Sequence, residues 1–160
     1  MVEKTCCVTG CREIPEKKRE YVKRALRAAL LEALADGYTR FLLRLGSETE
    51  WIFTALAEEL RQQGSKLFLE VVVPNADQLK EKDPRFQEAL GRCDGVRILW
   101  DQSPPGWEFL CCRWLVKDSS RVIAVWDGQE VGNSLQILRT AHAQEKPVRF
   151  IPLERDTAAP

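Results

Sequence analysis

Two short stretches of this 160-residue sequence carry residue types suited to holding a phosphate. In Thr9-Gly10-Cys11-Arg12 a glycine permits a sharp turn, Thr9 offers a hydroxyl, and Arg12 can pair with a phosphate in two-point geometry. In Gly132-Asn133-Ser134 the glycine allows close backbone approach, and Asn133 and Ser134 supply donors where a helix starts and its dipole favours an anion. Each stretch also has a plainer explanation. Arg12 could be a solvated surface residue, and Asn133 or Ser134 could simply cap a helix beside a turn glycine.

Other chemistry-bearing residues point less far. None of the six cysteines stands in the C-x-x-C spacing of a zinc or redox site, so they read as structural thiols. Cys11 is set apart by its place in a candidate site loop. His142 lacks a second histidine or a partnered cysteine, so neither a metal site nor a catalytic residue is assigned. Trp100, Trp107, Trp114 and Trp126 could form a base-stacking face, although core packing is the stronger reading. Trp107, after Pro104-Pro105-Gly106, is the one expected to border a pocket.

These residues must be positioned by a scaffold, and the sequence describes one. Apolar runs of strand length at 5–9, 40–45, 67–73, 96–100, 121–126 and 148–151 alternate with helical patterns. That alternation predicts an α/β fold: a Rossmann-like three-layer domain with a mainly parallel sheet of about six strands flanked by helices. Tyr21, Val22, Ala25, Leu26, Ala29, Leu30, Ala33 and Leu34 form one apolar helical stripe, with Pro15 suited to its first turn and Gly37 to its end. Ser47 and Glu50 make an S-x-x-E capping box for a second helix. Asp83-Pro84 opens a third, residues 106–117 form a fourth, and the last begins at Asn133 or Ser134. One domain is expected over 1–153, followed by a flexible tail at 154–160. In such a sheet ligands bind beyond the carboxyl ends of the strands, which selects the loops 9–12, 44–50, 100–106 and 127–134.

Composition narrows the partners. Lys plus Arg and Asp plus Glu both number 24, so no overall field draws the protein to nucleic acid or to an anionic membrane. Apolar runs are too short to span a bilayer, and the start of the chain lacks a signal-peptide pattern. A cytoplasmic protein with reduced thiols is the expectation.

The segment Thr5-Cys6-Cys7-Val8-Thr9-Gly10-Cys11-Arg12-Glu13-Ile14-Pro15 resembles the C-x-V-T-G-H-R opening of the YpsA-like branch of the SLOG superfamily, named for the SMF/DprA and LOG proteins. Residues 119–128, reading SSRVIAVWDG, resemble that branch's S-S-R-V-I-A-V-Y-D-G. Gly132-Asn133-Ser134 stands where the branch has G-G-T, and Arg113 falls on the Arg of its N-R-Y element. The resemblance runs in order from about residue 5 to 151. It implies a Rossmann-like fold, a pocket for a nucleotide or nucleotide-derived ligand, and the pairing of domains into a homodimer.

The departures bear on the site. Cys11 replaces a histidine, removing an imidazole. The second loop, S-G-M-A-L-G-V-D in the branch, is here Leu43-Arg44-Leu45-Gly46-Ser47-Glu48-Thr49-Glu50, with Arg44 and Glu48 in place of glycines. Arg44 adds bulk and positive charge, and Glu48 repels an anion unless it is turned away. Glu50 aligns with the branch's Asp but has a structural use in the capping box.

The expected ligand-binding set is therefore Thr9, Gly10, Cys11, Arg12, Arg44, Glu50, Arg113, Asp127, Gly132, Asn133 and Ser134. Thr9, Arg12, Asn133 and Ser134 would hold a phosphate, and Asp127 would contact a ribose or base. The function expected is a sensor-like module for a nucleotide-type small molecule, with no other cofactor. The alternatives are an interaction scaffold with a decayed pocket, and a LOG-like nucleoside-monophosphate phosphoribohydrolase. The last is weakened because Val131-Gly132-Asn133-Ser134-Leu135-Gln136 lacks the P-G-G-x-G-T-x-x-E glycine run and its Glu.

Overall fold

The computed structural model describes residues 3–129 and 131–154. Six strands, β1 (Lys4–Gly10), β2 (Tyr38–Leu43), β3 (Phe68–Val73), β4 (Gly95–Ile98), β5 (Arg121–Trp126) and β6 (Val148–Pro152), alternate with five helices. The helices are α1 (Arg19–Ala35), α2 (Glu48–Gln62), α3 (Pro84–Gly91), α4 (Trp107–Lys117) and α5 (Asn133–Ala143). All strand pairs are parallel, in the order β4-β3-β2-β1-β5-β6. The expected three-layer Rossmann-like architecture is the one observed.

Strand alternation explains the layers. Cys6, Val8, Phe41, Leu43, Leu69, Val71 and Val73 point to one face, where they pack against Val22, Leu26 and Leu30 of α1 and Phe53 and Leu60 of α2. Cys7, Leu42, Val72, Val122 and Ala124 point to the other, against Cys111, Leu115 and Val116 of α4 and Ile137 and Ala141 of α5. The chain steps outward from β1 through β4, then returns across the sheet to β5 on the other side of β1. Right-handed crossovers in opposite directions put the two helix groups on opposite faces. Between β1 and β5 their loops diverge, which makes this edge the switch point where open sheets bind ligands.

Several boundaries depart from expectation. Pro15 opens a 3-10 turn at Glu16–Lys18, and α1 proper starts at Arg19. β4 occupies Gly95–Ile98, and the apolar pair before Asp101 continues as loop whose N–H groups donate to the Val73 and Pro74 carbonyls, each at 3.0 Å. A second 3-10 turn, Ala76–Lys80, follows β3 and is capped by Asn75, whose side chain accepts from the Gln78 N–H. It had no counterpart in the sequence reading. No disulfide joins any of the six cysteines, five of which are buried. Most of the expected tail, 155–160, lies outside the described residues. No described helix is long and apolar enough to cross a membrane.

At the amino ends of the strands Arg40 binds Glu70 and Asp118 and reaches the Thr5 hydroxyl, with Arg97 joining Glu70 at 3.4 Å. These ion pairs lie at the opposite end of the sheet from the candidate site.

Candidate functional site

Gly10 ends β1 against the first turn of α2. A Cβ at this position would collide with the Thr49 side chain, so the glycine is required by close packing and not by the sharp turn expected of it. The Thr49 hydroxyl donates to the Cys11 carbonyl at 2.9 Å, and the Cys11 N–H donates to Val125 at 3.0 Å. These bonds lock the first loop between α2 and β5. They also place Cys11 wholly in the core, 0% exposed, so its side chain does not line the site.

Thr9 and Ser134 meet as the two motifs predicted, yet they face each other. Ser134 Oγ donates to the Gly10 carbonyl at 2.8 Å and lies 3.0 Å from Thr9 Oγ1. A serine has one hydroxyl hydrogen, so Thr9 is the donor of the second bond. Both hydrogens are thus used inside the protein.

The second loop folds around its own carboxylate. Glu50 accepts from the N–H groups of Arg44 (2.7 Å), Leu45 (3.0 Å) and Gly46 (3.1 Å) and from the Ser47 hydroxyl (2.8 Å). Ser47 Oγ in turn accepts from the Glu50 N–H at 3.3 Å, the capping box read from the sequence. Leu45 takes a positive φ of 63° to aim its N–H inward. Burial raises the Glu50 carboxyl above the usual range against the opposing pull of these donors and of Arg44. Glu48 is turned away. Its carboxylate accepts from the Ile14 N–H at 2.8 Å and from Arg19 Nε at 2.7 Å, tying the second loop to the start of α1.

The amino end of α5 has no side-chain cap. Gly132 is the N-cap of α5 at φ 123°, a conformation suited to glycine, and no side chain caps the helix. The first backbone bond runs from the Gln136 N–H to the Gly132 carbonyl, which leaves the N–H groups of Asn133, Ser134 and Leu135 without intrahelical acceptors. Neither Asn133 nor Ser134 is the cap. Asp127 closes the turn ahead of it by accepting the Gln129 N–H at 2.9 Å.

Arg44 projects between these loops. Its guanidinium lies 5.7 Å from the centre of the Trp107 ring, and its Nε and Nη1 are buried with no hydrogen-bond acceptor among the described residues. On one side is a crevice of ≈ 30 Å³ lined by Thr9, Arg12, Arg44, Glu50, Asn133 and Ser134 among others. On the other is a cleft of ≈ 500 Å³, which shares Arg12, Arg44, Gly46 and Asn133 with the crevice. The Cys112 thiol lies near Arg44. Burial pushes its pKa up to about 11, and Arg44 opposes the shift.

Of the expected set, Thr9, Gly10, Arg12, Arg44, Glu50, Asn133 and Ser134 line the crevice. Arg113 does not join them. It is carried to the outer face of α4, where its guanidinium lies 5.9 Å from the Phe109 ring in a surface groove with Gln136 and Arg139. Trp107 borders the cleft as expected, and Trp51, Gln78, Arg85 and Phe86 line it unforeseen. Trp51 lies in the first turn of α2, packed partly against the core. Its Nε1 donates to the Leu45 carbonyl at 2.8 Å, and Arg85 lies 4.5 Å over its ring. No local pattern announces this cleft, because its walls come from α2, the turn before α3, α3 itself and α4. No group of three or more metal-ligating side chains forms among the described residues.

No protein-family model matches the sequence, and a search of curated proteins finds no match. Solved structures do match. DNA processing protein A from Helicobacter pylori, a protein with a single-stranded DNA binding mode, is similar at a TM-score of 0.64 and 14% identity, over 96% of this chain and 67% of that one. TM1055, a structural-genomics target, is similar at a TM-score of 0.57 and 14% identity, over 91% of this chain and 72% of that one. At these identities the likeness establishes a shared fold.

Proposed function

We propose that the strand-end site binds a small phosphorylated ligand of nucleotide type without turning it over. One observation carries this reading: Arg44 holds two buried, unpaired nitrogens beside the uncapped N-terminus of α5. Buried donors without acceptors are costly, on the order of 1–3 kcal/mol each, and an oxyanion at this junction relieves both the arginine and the free helix N–H groups. The sequence resemblance to the YpsA-like branch of the SLOG superfamily supports the same location, as does the shared fold with DNA processing protein A, itself an SLOG protein. A cytoplasmic setting fits the unlinked thiols.

The phosphate role first assigned to the Thr9 and Ser134 hydroxyls passes to Arg44, Arg12 and the α5 backbone. Phosphoribohydrolysis has little support in the crevice. Among the described residues that line it Glu50 is the one carboxylate, and four donors already engage it.

Titration calorimetry tests the reading with inorganic phosphate, ribose 5-phosphate and a panel of nucleoside mono- and diphosphates. At least one phosphorylated compound should bind, and Arg44→Ala should weaken it by more than tenfold. Failure of the whole panel against the wild-type protein overturns the reading. A short single-stranded oligonucleotide belongs in the panel, because a fold neighbour binds single-stranded DNA and a net charge of zero does not describe the neighbourhood of Arg12 and Arg44 in the crevice. Tighter binding of the oligonucleotide than of every mononucleotide would replace the small-molecule reading.

A second reading is favoured by the narrowness of the crevice between Arg44 and Ser134, ≈ 30 Å³. Here Arg44 is a plug and the protein is an interaction scaffold that kept the fold. Its signature is a wild-type protein that binds nothing and an Arg44→Gly variant that gains phosphate binding.

A further inference from the structure

We propose that the groove between the outer faces of α4 and α5 docks an acidic, amphipathic helix of a partner protein. Carboxylates of that helix pair with Arg113 and Arg139, and an apolar side chain beside them covers Phe109. The groove shares no lining residue with the strand-end crevice or cleft and does not depend on the anion site.

The two helices each turn one face to the sheet and leave a furrow on the other side. α4 buries Cys111, Cys112, Leu115 and Val116, and α5 buries Ile137, Leu138 and Ala141. Phe109 and Arg113, four residues apart, form the α4 wall. On α5 Gln136, Thr140 and Ala143 repeat at helical spacing, and the small side chains of Thr140 and Ala143 keep open a groove of ≈ 420 Å³. The Thr140 hydroxyl is spent on the Gln136 carbonyl at 2.8 Å.

The charge in this lining has one sign. Arg113 and Arg139 form no ion pair among the described residues, and the carboxylates nearest in sequence, Glu108 and Glu145, pair with neither. Arg113 only lays its guanidinium 5.9 Å from the centre of the Phe109 ring. A groove at the amino end of the sheet is built differently. Arg121 and Arg149 line it as well, but Asp36 and Glu32 in the same lining bind them at 2.7 and 2.8 Å. There the chain supplies its own counter-charge, and between α4 and α5 it does not.

The chemistry of the partner follows. An arginine fork matches a carboxylate in two-point geometry. Phe109 is 46% exposed, so the same partner must bring apolar surface to the arginines' side. A helix meets both needs, because residues three or four apart lie on one face, and a helix seats itself in a furrow between two others. Two arginines are few for a phosphate backbone, whose binding draws on a wider array of cations.

The experiment selects a random peptide library on phage against the full wild-type chain, with counter-selection on the double variant Arg113→Glu/Arg139→Glu. Enriched peptides should carry Asp or Glu three or four residues apart beside Leu or Phe. A synthetic copy should bind the wild type in fluorescence anisotropy, gain helical circular dichroism when bound, and weaken at least tenfold in the double variant. Phe109→Ala should weaken it several-fold, and exchanging the peptide's acids for lysines should restore binding to the double variant. Both arginines are exposed, and Arg113→Gln/Arg139→Gln replaces the reversed pair if that pair shifts the urea midpoint.

Enrichment of no peptide, or only of peptides without acids, overturns the docking site. So does an acidic peptide that wild type and double variant bind equally. Loss of single-stranded oligonucleotide binding in the double variant would overturn it in favour of nucleic acid. A wild-type dimer that the double variant dissociates, read by sedimentation velocity, would overturn it in favour of a second copy of the chain.

Discussion

The amino ends of α2 and α5 occupy adjoining positions at the carboxyl edge of one sheet, and the chain treats them in opposite ways. At α2 the loop N–H groups, the Ser47 hydroxyl and the Glu50 carboxylate satisfy one another, and nothing is left to offer a ligand. At α5 a glycine stands at the cap, no side chain closes the helix, and the half-buried Arg44 lines the same crevice with two buried, unpaired nitrogens. Among the described residues one terminus carries its own anion and the other has none. A strand-end edge can thus give one of its loops over to structure while the other keeps donors without acceptors among the described residues.

The sharpest way to break this comparison is to remove the resident anion. Glu50→Ala leaves four donors without their acceptor and should lower the free energy of unfolding by about 3–5 kcal/mol, read by urea denaturation. A loss below 1 kcal/mol would mean that water replaces the carboxylate freely and that the two termini are alike.

Ser134→Ala comes next. It removes the donor to Gly10 and the acceptor of Thr9, and should cost about 1–2 kcal/mol in the same assay. An unchanged midpoint would mean that the hydroxyl is free for a ligand after all. Ser47→Ala should cost about 1 kcal/mol through the loss of the α2 cap.

The smallest effect is the most discriminating. Asn133→Asp gives α5 an anion in its first turn and should stabilise the fold by about 0.3–1 kcal/mol. The same change should weaken any phosphorylated ligand, so stability and affinity move in opposite directions. A parallel change in both would remove α5 from the site.

Acidity offers a further probe of the resident anion. Burial raises the Glu50 carboxyl above its ordinary value, so the native state holds this proton more tightly than the unfolded chain does. The contribution of Glu50 to stability is then greatest below the unfolded value of about 4.3 and declines as pH rises through the native one. The stability of the wild type relative to Glu50→Gln should therefore fall from acid toward neutral pH. A wild-type advantage that grows over that range would show that the surrounding N–H donors outweigh burial.

The fold was legible because its determinants are periodic. The apolar runs became strands within a residue or two, and the stripe of α1 became a buried face. The capping box was legible because both partners sit within one turn. Ser134 and Thr9 were correctly placed together, but their types could not reveal that each would take up the other's hydrogen-bonding capacity. Arg113 was misplaced because an aligned position says nothing of which helix face it occupies. The cleft was hidden most completely. Trp51, Gln78, Arg85 and Trp107 come from four separate elements, α2, the turn after β3, α3 and α4, and that turn left no periodic trace.

The packing of Gly10 against Thr49 carries a consequence for descent. Any side chain at position 10 needs a smaller residue at position 49, and the Cys11 carbonyl would then lose its hydroxyl donor as well. The two positions are bound to vary together. Their joint record across related chains would act as a lineage marker, separating proteins that kept this tightly joined wall from those in which the first loop was released to take up another shape.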